Sequence, residues 1–202
     1  MGKKNVLFTG KPGCGKSTLI ERILERLDRP ATGFFTREMR GKGGRTGFLI
    51  ETIGGKRGVL ARVAGAGIGG GREPRERVHE TDSGTKGGAG EGFAADSGPR
   101  VGKYVVNLRD IERVAVPSLV PTRPGEVVVI DEIGKMECLS PVFRDALLGA
   151  LDSEHPVIAT VALRGTPFIE TVKARPDVEV ILVNEKNRDR LAGDPPFQWV
   201  CR

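Results

Sequence analysis

Gly10-Lys11-Pro12-Gly13-Cys14-Gly15-Lys16-Ser17-Thr18 satisfies G-x-x-x-x-G-K-S/T. It lies between an apolar run, Val6-Leu7-Phe8, and a stretch in which Leu19, Ile20, Ile23, Leu24 and Leu27 recur at helical spacing. Strand, glycine turn and helix in that order constrain the chain more than any other feature it carries. Glycines let consecutive N–H groups turn inward with no Cβ in the way, and the start of the helix adds partial positive charge at the same point. Residues 10–18 are therefore expected to cradle a polyphosphate. Lys16 is placed to reach the β- and γ-phosphates as a point charge, Ser17 to offer its hydroxyl to Mg2+, and Thr18 to lie near the inner phosphates.

A second stretch complements the first. Val127-Val128-Val129-Ile130 is an unbroken β-branched run that ends in two carboxylates, Asp131 and Glu132. Such a run is expected of a central parallel strand buried on both faces, whose C-terminal end opens on the ligand crevice of an α/β sheet. It resembles a Walker B strand, in which Asp131 would hold Mg2+ together with Ser17. Glu132, immediately after it, can point at the in-line position and activate a water for attack on the γ-phosphorus. Asp131-Glu132-Ile133-Gly134 also fits the D-x-x-G of switch GTPases. No N-K-x-D that would read guanine is present, however, and Asn184-Glu185-Lys186-Asn187 misses that pattern.

Between and after these motifs the chain reads as alternating strands and helices. A helix is expected over residues 16–27, ended by Arg29-Pro30, and a hairpin over 34–39 and 46–52 that 58–62 extends into an antiparallel meander. Residues 101–108 read as one alternating strand, followed by a short helix over 111–116 capped by Asp110 and ended by Pro117. Ser140-Pro141 and Thr166-Pro167 each start a helix, the first with Val142, Phe143, Ala146, Leu147, Leu148 and Leu151 as its apolar stripe. Strands are expected over 156–161 and 178–183, and a helix over 184–191 whose Asn187 and Arg188 face the nucleotide base. Thr160 stands where a polar sensor of the γ-phosphate would lie, and Arg164 just beyond is a candidate for stabilising transition-state charge. The alternation implies an α/β fold: a mostly parallel sheet with right-handed crossovers, flanked by helices and interrupted by an antiparallel insertion.

Composition sets the remaining bounds. At 202 residues the chain fits a single domain spanning residues 1–202. Residues 64–99 carry eleven glycines among charged side chains and almost nothing apolar, so they are expected to form a disordered surface loop, with His79 in it as an ordinary loop residue. Cys14, Cys138 and Cys201 lack C-x-x-C spacing, which suggests neither a disulfide framework nor a zinc site and fits a reducing cytoplasm. No apolar run approaches the roughly 20 residues needed to span a bilayer, so no membrane partner is expected. The net charge of +6 makes nucleic acid a candidate partner on charge alone. The chain is expected to act as a monomer.

Several stretches taken together resemble the cancer-related nucleoside-triphosphatase family known from thermophiles and animals. They are residues 10–18, Gly33-Phe34-Phe35-Thr36-Arg37-Glu38-Met39-Arg40, Val101-Gly102-Lys103-Tyr104-Val105-Val106, Ile130-Asp131-Glu132-Ile133-Gly134-Lys135-Met136-Glu137 and Asn184-Glu185-Lys186-Asn187-Arg188. The phosphate loop is shared by many families; D-E-I-G-K-M-E joined to F-F-T-R-E is far more specific. The likeness covers nearly the whole chain outside residues 64–99. It implies a RecA-like P-loop fold, Mg2+-dependent hydrolysis of the γ-phosphate, and tolerance of ATP, GTP, CTP and UTP. At matching positions it implies phosphate binding by residues 10–18 and metal and water roles for Asp131 and Glu132. Two further readings stay open beside hydrolysis: a kinase using the same loop, since the family has been likened to nucleotide kinases, and, on net charge and D-x-x-G, a nucleotide-binding switch or RNA-associated module with negligible turnover.

Overall fold

The computed structural model describes residues 3–64 and 98–193. The loop expected at 64–99 falls almost wholly outside them, as do His79, Cys201 and the residues after 193. Among the described residues nine strands form one sheet in the order β5-β6-β4-β3-β2-β7-β8-β1-β9. They are β1 (Asn5–Thr9), β2 (Ala31–Gly41), β3 (Gly44–Thr52), β4 (Arg57–Val63), β5 (Arg100–Val101), β6 (Tyr104–Val106), β7 (Val127–Ile133), β8 (Val157–Val161) and β9 (Val178–Leu182). The five strands β2-β7-β8-β1-β9 pair in parallel, and β3, β4, β6 and β5 continue the sheet from β2 in antiparallel register. This is the expected α/β architecture with its antiparallel insertion. One strand, β8, separates β1, which leads into the glycine loop, from β7, which carries the two carboxylates.

Period-two alternation divides the core between the two faces of this sheet. Val6, Phe8, Val127, Val129 and Ile158 pack under α1 (Lys16–Glu25) and α6 (Arg188–Gly193). Leu7, Val128, Ile130, Ala159 and Val161 pack on the other side, under the helical run of α2 (Leu108–Asp110) and α3 (Val116–Ser118), with α4 (Pro141–Asp152) and α5 (Pro167–Lys173). Asp131 is in phase with Val129, and Thr160 with Ile158. Both side chains therefore emerge on the α1 face, where the glycine loop lies. β7 is buried as its sequence requires, and it can sit against β2 because Gly33 has no side chain. With φ 123°, a methyl there would come 1.8 Å from the Val129 carbonyl oxygen.

Several local expectations are corrected. Residues 101–108 form a hairpin, β5 and β6, rather than one strand, because Gly102 turns the chain at φ 58°. The cap of the following helix is Asn107, whose Oδ1 accepts from the Asp110 N–H at 3.2 Å, while Asp110 instead accepts from the Val59 N–H of β4 at 2.7 Å. Pro117 does not end that helix. Its missing N–H and bulky ring are met by a wider π-helical turn over Ile111–Ala115, and α3 continues through the proline. Val142 is 47% exposed and outside the stripe of α4, which buries Phe143, Leu147, Ala150 and Leu151. No helix among the described residues is long and apolar enough to cross a membrane.

Candidate active site

Residues 10–18 connect β1 to α1 as a tight loop that two of the glycines favour, one by close approach and one by its backbone angle. A Cβ on Gly10 would lie 2.4 Å from the Val183 carbonyl oxygen and 2.9 Å from Cys14 Sγ, and Gly13 turns at φ 78°. Cys14 is buried beneath the loop, whereas Lys11, Pro12 and Gly13 form its exposed tip. Helix α1 begins at Lys16 with Gly15 as its N-cap and no side-chain cap, so its first-turn N–H groups are left for a ligand. The Lys16 ammonium folds over the loop and donates to the carbonyls of Gly10 at 3.2 Å and Lys11 at 3.4 Å. Ser17 is half-buried and Thr18 exposed.

Across from this loop, the C-terminal ends of β7 and β8 meet. Phe35↔Asp131 pairing on one side and Ile130↔Ala159 pairing on the other fix Asp131 in place, and the register with β8 slips after Ile130. The Asp131–Glu132 peptide is cis. Asp131 is 2% exposed. Its Oδ1 accepts the hydroxyl hydrogen of the fully buried Thr160 at 2.5 Å, and its Oδ2 is buried without a partner. Burial pushes the Asp131 carboxyl above its ordinary pKa, opposed by the Thr160 and Ser17 hydroxyls and by the charges of Arg37 and Lys16. An unpartnered carboxylate oxygen with a serine hydroxyl beside it is the environment a divalent cation completes. Ser17 and Asp131 therefore fit Mg2+. No three His, Cys, Asp or Glu side chains among the described residues are grouped to hold a metal.

Glu132 follows at the strand end, partly buried. Burial raises its pKa, Lys16 opposes, and the Asp131 charge adds to the rise. Glu137, in the short turn Glu137–Leu139, is a third carboxyl here, only 4% exposed. Both glutamates press on Gly134, where an added Cβ would meet Glu137 Oε2 at 2.6 Å and Glu132 Oε1 at 3.3 Å. Burial, reinforced by the charges of Glu132 and Asp131, pushes Glu137 up to about 8. Sequence reasoning assigned Glu137 no role. A carboxylate between Met136 and Cys138, in a turn otherwise bound for the core, was the signal it offered. Arg37 was also missed. It lies on β2 with its guanidinium 4.8 Å from the Phe35 ring centroid and held by Glu21 at 2.5 Å and Glu51 at 3.5 Å, and its charge acts on Asp131.

The structure thus brings together Lys16, Ser17, Asp131, Glu132 and Thr160. Thr160 serves Asp131 directly, and Arg164 lies exposed on the loop after β8. The expected helix over 184–191 begins only at Arg188. Its preceding turn is organised by Asn184, whose Oδ1 accepts from the N–H groups of Lys186 and Asn187.

Comparison with known proteins gives a consistent result. The sequence matches a family described as NTPase over residues 5–194. It is 41% identical over 190 residues to the nucleoside-triphosphatase THEP1 of Thermotoga sp. strain RQ2, covering 94% of this chain and 91% of that protein. The fold is similar to the crystal structure of THEP1 from Aquifex aeolicus, with TM-score 0.72, 30% identity and coverage of 98% and 99% of the two chains. It is also similar to the solution structure of a human cancer-related nucleoside triphosphatase, with TM-score 0.66, 35% identity and coverage of 95% and 94%.

Proposed function

The chain belongs to the NTPase family that includes the THEP1 nucleoside-triphosphatases, and from that premise we propose that it hydrolyses nucleoside triphosphates, ATP, GTP, CTP and UTP alike, at the γ-phosphate. The observation that carries this reading is the unpartnered, buried Oδ2 of Asp131 beside Ser17 and Lys16, with Glu132 next in the chain.

The amides of residues 10–18 and the Lys16 ammonium hold the phosphate tail. Ser17 and Asp131 would hold Mg2+, which would supply charge neutralisation at the phosphates. Thr160 keeps one Asp131 oxygen turned inward so that the other faces the metal position. Glu132, whose burial strengthens its hold on a proton, orients a water and takes its proton as the water oxygen bonds to the γ-phosphorus. The bond from the γ-phosphorus to the bridging oxygen breaks, and Lys16 and the loop amides balance the negative charge that gathers on that oxygen.

The direct experiment measures phosphate release from each of the four triphosphates, with Mg2+ and with a chelator, and with no other acceptor present. Release that needs Mg2+ and no acceptor is the expected result. Phosphate transfer that proceeds only with an added nucleotide or metabolite would replace this reading with a kinase.

A further inference from the structure

A cleft of about 120 Å³ opens beside the phosphate loop, lined by Gly15, Thr18, Leu19, Arg22 and Arg188. Arg188 lies across the loop, its Cδ 3.0 Å and its Nη1 3.2 Å from the point where a Gly15 Cβ would stand. Its side chain is still 41% accessible, and its ion pair with Asp189 is loose at 3.8 Å, because Arg22 holds that carboxylate at 2.6 Å.

The neighbouring side chain able to read a base edge is already occupied. Asn187 Oδ1 accepts from the Asn184 N–H at 2.8 Å, and its Nδ2 donates to the Leu182 carbonyl at 2.8 Å. Among the described residues no carboxylate or carboxamide lines the cleft. Besides the Thr18 hydroxyl and Arg22, which is paired with Asp189, the cleft offers the planar cation of Arg188 next to the first turn of α1, and every nucleobase presents a π face to such a plane whatever its edge carries.

We infer that this cleft takes the nucleobase of the bound triphosphate, with the Arg188 guanidinium as a stacking platform that recognises the face of the base and not its edge. The inference rests on the triphosphatase reading and adds to it the residue and the mode of contact. Base identity then contributes little, and affinity is shared between phosphate grip and one stacking contact.

The test compares dissociation constants of ATP, GTP, CTP and inorganic tripolyphosphate, each with Mg2+, for the native protein, Arg188→Ala and Arg188→Lys. Arg188→Ala should weaken the three nucleotides by a common factor of about tenfold and leave tripolyphosphate within about twofold. Arg188→Lys keeps the charge without the plane and should behave like the alanine variant. Full recovery in Arg188→Lys, an equal loss for tripolyphosphate, or a loss confined to one base would each overturn the inference. Failure of the native protein to bind any of the four ligands would instead overturn the triphosphatase reading beneath it.

Discussion

Thr160 donates its hydroxyl hydrogen to Asp131 Oδ1 at 2.5 Å, which leaves Oδ2 as the oxygen of that buried carboxylate without a partner. The pair exists because β8 lies between β1 and β7 and brings the two side chains out on the same face of the sheet. Partners of this kind orient a metal ligand and commonly change metal affinity or activity by about 10–100-fold when removed. Thr160→Val, nearly equal in shape, should therefore raise the Mg2+ concentration needed for half-maximal phosphate release by about tenfold or more. Thr160→Ser should stay near the native value. An unchanged Mg2+ dependence in Thr160→Val would remove the hydroxyl from the account.

The loop glycines should differ sharply among themselves. Gly10→Ala forces a methyl within 2.4 Å of the Val183 carbonyl and against Cys14 Sγ, whereas Gly13 at φ 78° faces open space. The first should lose nucleotide affinity and lower the thermal midpoint together, because loop and β9 end must move apart. The second should cost only the left-handed backbone, about 1 kcal/mol. Calorimetric unfolding and nucleotide titration of both variants check this order.

Glu137 predicts how stability varies with pH. Its folded pKa of about 8 lies above the ordinary value of 4.5, so the folded protein keeps a proton that the unfolded chain releases. Its contribution is fully present below pH about 4.5 and is lost as pH rises through about 8. Burial moves Asp131 and Glu132 in the same direction. The metal-free protein should therefore be less stable near pH 8.5 than near pH 6, by up to a few kcal/mol. Glu137→Gln, which holds a neutral side chain at every pH, should flatten that decline in denaturant midpoints. A native profile flat between those pH values, or a decline that Glu137→Gln leaves intact, would contradict it.

Much of this was legible in the sequence because the signals were local. The loop at 10–18 and the β-branched run into Asp131 and Glu132 carry their own strand and helix context. The Ser140 and Thr166 caps accept from Phe143 and Ile169 as their spacing requires. What escaped depended on distant partners. Asp110 reads as a cap until β4 is seen to supply Val59 as its donor. Pro117 reads as a helix end until the π-helical turn before it is known. Glu137 reads as one polar residue in a motif, and only its burial against Gly134 and Glu132 marks it as part of the site.

The most direct test of the central claim is phosphate release in a single turnover by Glu132→Gln, measured beside equilibrium binding of the same nucleotide. The account predicts binding within about threefold of native and release slowed by about a hundredfold or more, since the carboxylate that takes the proton of water is gone while the phosphate grip remains. Release at the native rate would contradict it.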